Sequence, residues 1–208
     1  MKNLTLENIA RVCGGTYYGP ADKLQEEVMS IITDSRKAEE GCLFVPIVGE
    51  RVDAHKFIPQ VMEAGALATL SERVLDNADF PYIAVESSLQ AVKDIAEFYL
   101  KQLQIPVVGI TGSVGKTTTR EMISTVLASQ KKVFQTIGNQ NSQIGVPLTL
   151  SHLTREDEIA VLEIGMSERG QIEKLTNMIR PNVAVVTMIG VSHIAQLKTQ
   201  ENICLEKM

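Results

Sequence analysis

At 208 residues, with 44% hydrophobic and 22% charged residues and a formal net charge of −5, the chain has room for one large or two small domains and enough apolar content to bury a core. The charge is spread over mixed-sign segments without a basic face, aromatics are scarce and tryptophan is absent, which excludes a general nucleic-acid binder and a base-stacking groove. Cys13, Cys42 and Cys204 lie far apart and make neither a disulfide framework nor a paired-cysteine zinc site, and no apolar run reaches a membrane span or a signal-peptide core. A cytoplasmic protein with no membrane insertion is expected.

The first 85 residues carry short signals: a helical LENIARVCGG closed by glycines, apolar runs at SIITD and CLFVPIVG, a helical FIPQVMEAGA, then ATLSE and YIAVES. These predict a small mixed α/β domain over residues 1–85. The segment SLQAVKDIAEFYLKQL places Leu89, Val92, Ile95, Ala96, Tyr99 and Leu103 on one side, the pattern of an amphipathic helix that Ser87 or Ser88 can cap. It opens a second domain, residues 86–208, and bridges the two. Apolar strands VVGIT, KVFQT, EIAVLEIG and VAVVTMIG then alternate with helical stretches, which predicts a parallel sheet covered by helices, with ligands at the carboxyl ends of its strands.

The stretch IPVVGITGSVGKTTT, residues 105–119, runs from a strand through a glycine turn into Gly-Lys-Thr and on into a helix. That is the layout of a phosphate-binding loop: Gly112, Ser113, Val114 and Gly115 let backbone N–H groups close around phosphate oxygens. Lys116 is placed for the β and γ phosphates, the Thr117 hydroxyl for Mg²⁺, and the helix start at Thr117 and Thr118 points its positive end at the anion. The loop is a variant, because the strict pattern asks for glycine where Ile110 stands, and Gly109 is one place early.

Other residues have two readings each. Glu163 ends the apolar strand AVLEIGM, where a carboxylate must meet a cation or reach solvent; its place after the phosphate loop favours Mg²⁺. His193, just past VAVVTMI, is a metal ligand or a structural imidazole. In GNQNSQIG, Asn139 and Asn141 present amides to a ligand or simply shape a polar loop. Asp34, Ser35 and Arg36, with Gly49, Asp53 and His55 beyond them, can hold a polar ligand such as a uracil or sugar phosphate, though Asp34 and Ser35 are also ordinary turn-forming residues. Lys207, taken alone, reads as a solvated charge.

Together and in order, TDSR with GCLFVPIVGERVDAHKF, TGSVGKTTT, GNQNSQIGVPLTL, LEIGMSERGQIEKL and VVTMIGVSHIAQLKTQENICLEK resemble the amino-terminal part of the Mur ligases, the ATP-dependent amide-forming enzymes of peptidoglycan precursor synthesis. The GNQN segment resembles their D-alanyl-D-alanine-adding branch. The resemblance implies a first domain that holds the UDP part of UDP-N-acetylmuramoyl-tripeptide, with Ser35 and Arg36 among the contacts, and D-alanyl-D-alanine as second substrate. It implies a central domain binding ATP and Mg²⁺, with Lys116 on the phosphates, Thr117 and Glu163 on one Mg²⁺, His193 on a second, and Lys207 as the site of a carbamate formed from CO₂. Ser142 and Gln143 stand where the family usually has Asn and an acidic residue, and Lys198 where glycine is common. The chain stops one residue after Lys207, inside what the resemblance implies is a continuing central domain, so these 208 residues are not expected to complete ligation alone. Two alternatives stay open: a folylpolyglutamate-synthase-like ligase, and a non-catalytic UDP-sugar-binding remnant.

Overall fold

The computed structural model describes residues 1, 3–49, 52–192 and 194–208, and the chain divides into two compact units, Met1–Tyr99 and Leu100–Met208. In the first, α1 (Leu6–Val12) begins where the Thr5 hydroxyl accepts the Asn8 N–H at 3.2 Å, and it buries Leu6, Ile9 and Ala10. It is followed by β1 (Thr16–Tyr18), β2 (Ser30–Ile32), β3 (Cys42–Phe44), α2 (Ile58–Glu63), β4 (Ala68–Ser71) and β5 (Tyr82–Ala84). The sheet order is β1-β5-β4-β3-β2; β1 runs antiparallel to β5 and the remaining pairs are parallel. Strands β3 and β4 are buried at every position, which is why they read as continuous apolar runs rather than alternations. Strand β1 carries no such signal because it is an edge strand with two of its three residues exposed.

Helix α3 (Ser88–Leu103) starts where the Ser87 hydroxyl accepts the Gln90 N–H at 3.3 Å, while the Glu72 carboxylate accepts the Ser88 N–H at 2.7 Å. The division between the units falls inside this helix, at Tyr99/Leu100. All three cysteines are free thiols; burial, and secondarily the nearby Asp94, pushes the Cys13 thiol up to about 12, so it is not a nucleophile near neutral pH.

The second unit contains β6 (Val107–Thr111), α4 (Lys116–Leu127), β7 (Val133–Gln135), α5 (Gly145–Leu150), β8 (Ile159–Glu163), α6 (Gln171–Ile179), β9 (Val183–Val186), α7 (Ile194–Leu197) and α8 (Gln200–Lys207). Its sheet is wholly parallel in the order β7-β8-β6-β9. Parallel neighbours need crossovers, here supplied by helices such as α4 and α6. The chain leaves β6 towards β7 and leaves β8 towards β9, in opposite directions, and such a reversal opens a crevice at the carboxyl ends of the strands. The register Ile110↔Glu163 puts the Glu163 carboxylate beside the start of the phosphate loop. Edge strand β9 leaves Val183 53% exposed.

Candidate active site

The loop between β6 and α4 is held from one side by the segment after β9. The Thr187 hydroxyl lies 2.6 Å from the Val114 carbonyl and 3.3 Å from that of Thr111, the Ser113 N–H donates to Met188 O at 2.7 Å, the Ser113 hydroxyl accepts the Gly190 N–H at 2.9 Å, and the Ser192 hydroxyl donates to Ser113 O at 3.2 Å. Ser113 is therefore occupied in anchoring the loop. Gly112 and Gly115 have φ of 148° and 85°, backbone that glycine alone adopts cheaply. Gly115 is the residue before α4, and Thr117 and Thr118 stand exposed on its first turn. The Lys116 ammonium donates to Gly112 O at 2.7 Å, so the cation already sits over the loop. The out-of-place Gly109 lies within β6, where an added Cβ would come 3.0 Å from Ile164 Cδ1; its role there is packing.

Glu163, only 1% exposed, meets a cation after all: the Arg120 guanidinium, with Nη1 to Oε1 at 3.1 Å. Its other oxygen accepts from Asn141 Nδ2 at 3.4 Å, and its N–H donates to the Thr136 hydroxyl at 2.7 Å. Oε1 has no partner in good hydrogen-bond geometry, which leaves that oxygen ligating capacity. The sequence alone does not single out Arg120, because an arginine in the first turns of a helix resembles a surface charge; only its fourth place in TTTR, one turn from Thr117, hints otherwise. Asn141 also accepts the Gly165 N–H on its carbonyl at 2.7 Å, tying the loop to the end of β8. Asn139 is exposed and does not line the cavity described next.

Lys116, Asn141, Ser142, Gly165, Gln171 and Lys207 share a cavity of about 190 Å³. Ser142 and Gln143 are structural here: the Ser142 hydroxyl accepts the Gly145 N–H at 3.1 Å and Gln143 Nε2 donates to Gln171 O at 2.8 Å. Lys207 is not the solvated charge that it resembles alone; it is 5% exposed. Burial, then the Lys116 charge, lowers its pKa to about 8 against the pull of Glu206, so part of the amine is neutral near physiological pH. Glu206 fixes this helix end by accepting the Gly170 and Ile172 N–H groups at 2.9 and 3.1 Å at the start of α6. Lys198 takes φ 72°, the left-handed backbone that favours glycine. His193 lies outside the described residues.

The donor chemistry fits Mg²⁺. Among the described residues no three His, Cys, Asp or Glu side chains cluster for a metal, but Mg²⁺ is commonly held by one or two protein oxygens together with phosphates and water, and the Thr117 hydroxyl and Glu163 carboxylate are such oxygens.

In the first unit, Asp34 caps a short 3₁₀ turn: it accepts the Arg36 N–H at 3.1 Å and grips the guanidinium at 2.9 and 2.7 Å. The Arg36 side chain is 85% exposed, and Ser35 begins the turn. Asp53 accepts the His55 N–H at 2.9 Å, lies 2.6 Å from His55 Nδ1 and pairs with Arg73, while His55 Nε2 accepts the Glu72 N–H at 3.1 Å. His55 thus joins two loops. The His55 hydrogen bonds, then Arg73, hold the Asp53 carboxyl down at about 2. Because the folded value lies below the ordinary value of about 3.9, the stabilisation is fully present above about pH 4 and is lost as pH falls through about 2. Melting curves of wild type and Asp53→Asn should therefore converge between pH 4 and 2; a gap independent of pH would refute this.

Residues 110–208 match the Mur ligase middle domain. The chain belongs to the Mur ligase family. Among its relatives, the UDP-N-acetylmuramoyl-tripeptide–D-alanyl-D-alanine ligase of Bacillus subtilis is 42% identical over 206 residues, covering 98% of this chain and 45% of the relative. The ligase of the same name from Escherichia coli is 37% identical over 93% of this chain and 42% of its own length. Among solved Mur ligases, MurF from Acinetobacter baumannii superposes with a TM-score of 0.91 at 33% identity, over 98% of this chain and 45% of that one. MurF ligase from Thermotoga maritima in complex with ADP does so with a TM-score of 0.80 at 37% identity, over 86% and 42%. The chain thus spans less than half the length of these relatives. Their likeness bears out the expected α/β class with parallel sheets, the fold of the Mur ligases. Among the described residues no helix is long and apolar enough to cross a membrane.

Proposed function

We propose that this chain supplies the UDP-substrate domain and the phosphate-binding part of an ATP-dependent ligase that joins D-alanyl-D-alanine to UDP-N-acetylmuramoyl-tripeptide. The observation that carries the reading is the convergence of Lys116, Asn141 and Lys207 on one cavity beside Glu163, at the carboxyl ends of β6 and β8. In the proposed reaction a carboxylate oxygen of the tripeptide bonds to the γ-phosphorus of ATP as the bond to the β–γ bridging oxygen breaks, releasing ADP. The dipeptide amine then attacks the acyl carbon, phosphate leaves and the amine loses a proton. A carboxylate and a triphosphate repel each other, so stabilisation comes from positioned cations. Lys116 supplies one at the loop. When bound at Thr117 and Glu163, Mg²⁺ supplies further charge neutralisation. Lys207 presents a partly neutral amine to the same cavity, the form that reacts with CO₂ to give a carbamate. Ser35 and Arg36 of the first unit are assigned to the UDP part, and Asn139 and Asn141 of the second unit to substrate contacts.

Calorimetric titration of the 208-residue chain with UDP-N-acetylmuramoyl-tripeptide, with UDP-N-acetylglucosamine as comparison and no ATP, tests the substrate assignment. Preferential binding of the tripeptide compound is expected. Equal binding of both, or no heat from a chain shown to be folded, would sink it.

A further inference from the structure

We infer that Arg120 is a positioning residue that couples the phosphate loop to the Glu163 carboxylate and to the 136–141 loop. The inference rests on the reading of this site as a nucleotide and Mg²⁺ site.

Arg120 is 6% exposed and sits on α4 one turn after Thr117, so both residues share a helix face. Its Nη1 donates to Thr136 O at 2.9 Å and to Gly138 O at 3.2 Å and lies 3.1 Å from Glu163 Oε1; its Nη2 pairs with Glu121. One planar group therefore joins three pieces of chain: the helix that begins at the phosphate loop, the segment after β7, and the end of β8. Thr136 closes the circuit, since its hydroxyl accepts the Glu163 N–H while its carbonyl accepts from Arg120. Asn141, which reaches Glu163 Oε2, lies three residues beyond Gly138 on that loop. Any movement of α4 when phosphate occupies its first turn is passed by the guanidinium to the carboxylate and to Asn141. A lysine ammonium retains the charge but not the planar fork that holds Nη2 on Glu121 while Nη1 faces both carbonyls and Glu163.

The test uses Arg120→Lys and Arg120→Met in the 208-residue chain, with ADP affinity measured by calorimetry with and without Mn²⁺ as the metal probe, and amide hydrogen exchange read over residues 136–141. Affinity for ADP without metal should stay within about twofold of wild type in both variants. The tightening of ADP binding by Mn²⁺ should fall about tenfold in Arg120→Met, the scale of change when a metal ligand loses its hydrogen-bonded support, and the lysine should restore only part of it. Exchange at residues 136–141 should accelerate in both variants and not elsewhere in the second unit. Unchanged Mn²⁺ dependence, full rescue by lysine, or unchanged exchange would overturn the inference. If wild type itself shows no Mn²⁺-dependent ADP binding, the functional reading fails instead, and hydrogen exchange still decides whether Arg120 tethers the loop.

Discussion

Replacing Lys116 with alanine should weaken ADP binding by roughly 30- to 150-fold while leaving the fold in place. The factor follows from losing a charge-assisted contact to phosphate, about 2–3 kcal/mol. The fold should survive because Lys116 is half-buried at the loop mouth and makes its hydrogen bond to Gly112 O within the loop itself. The loop stays anchored through Ser113 and Thr187, neither of which needs the lysine. The same substitution removes the positive neighbour that helps to depress Lys207, so the Lys207 pKa should rise from about 8 toward the ordinary lysine range. Calorimetry with ADP and Mg²⁺ and titration of the Lys207 amine by NMR read the two effects separately. An unchanged ADP affinity would mean that the loop does not bind phosphate through this residue.

The largest effect on stability is expected for Gly112→Ala. An added Cβ would sit 1.9 Å from Thr187 Oγ1 and 3.2 Å from the Met188 nitrogen, so the Thr187 side chain must abandon its contacts with Val114 O and Thr111 O. The backbone at φ 148° adds strain for a residue with a Cβ, about 1–3 kcal/mol, on top of a similar cost for overpacking. A loss of roughly 3–4 kcal/mol is expected, a large share of the about 5–15 kcal/mol that holds a typical domain together. Denaturant unfolding should show it as a shifted midpoint, and ADP affinity should fall as the loop distorts. Adding Thr187→Ala relieves the collision but not the backbone strain, so the double variant should recover stability only in part. Full recovery would show that the collision with Thr187 alone demands glycine and that the backbone carries no strain there; a harmless single variant would show that neither does.

Much of this site is legible in the residues alone. The phosphate loop is legible because its requirements are local: an apolar strand, glycines for the turn, a lysine and a hydroxyl at set spacing, then a helix. Glu163 stands out as an anomaly, a charge at the end of a strand otherwise apolar. Lys207 does not, since a lysine at the end of a short, mostly polar helix looks solvated until the fold buries it beside Lys116 and the start of α6. Arg120 escapes notice for the same reason, because three of its four partners are 16, 18 and 43 residues further along the chain. Strand β1 is silent because an edge strand has no continuous apolar run.

The sequence by itself determined what depends on neighbours along the chain: the helical and apolar periodicities, the turn chemistry of the phosphate loop and the order of strands and helices that implies a parallel sheet. Only the tertiary structure decided which polar groups face one another. It assigned Arg120 to Glu163, Thr187 to the phosphate loop, and Asp53 to His55 and Arg73, and it buried Lys207 beside Lys116. The reason is physical: periodicity reports which face of an element avoids water, whereas partners for buried polar groups are set by the packing of segments distant in sequence, where an unpaired group is costly.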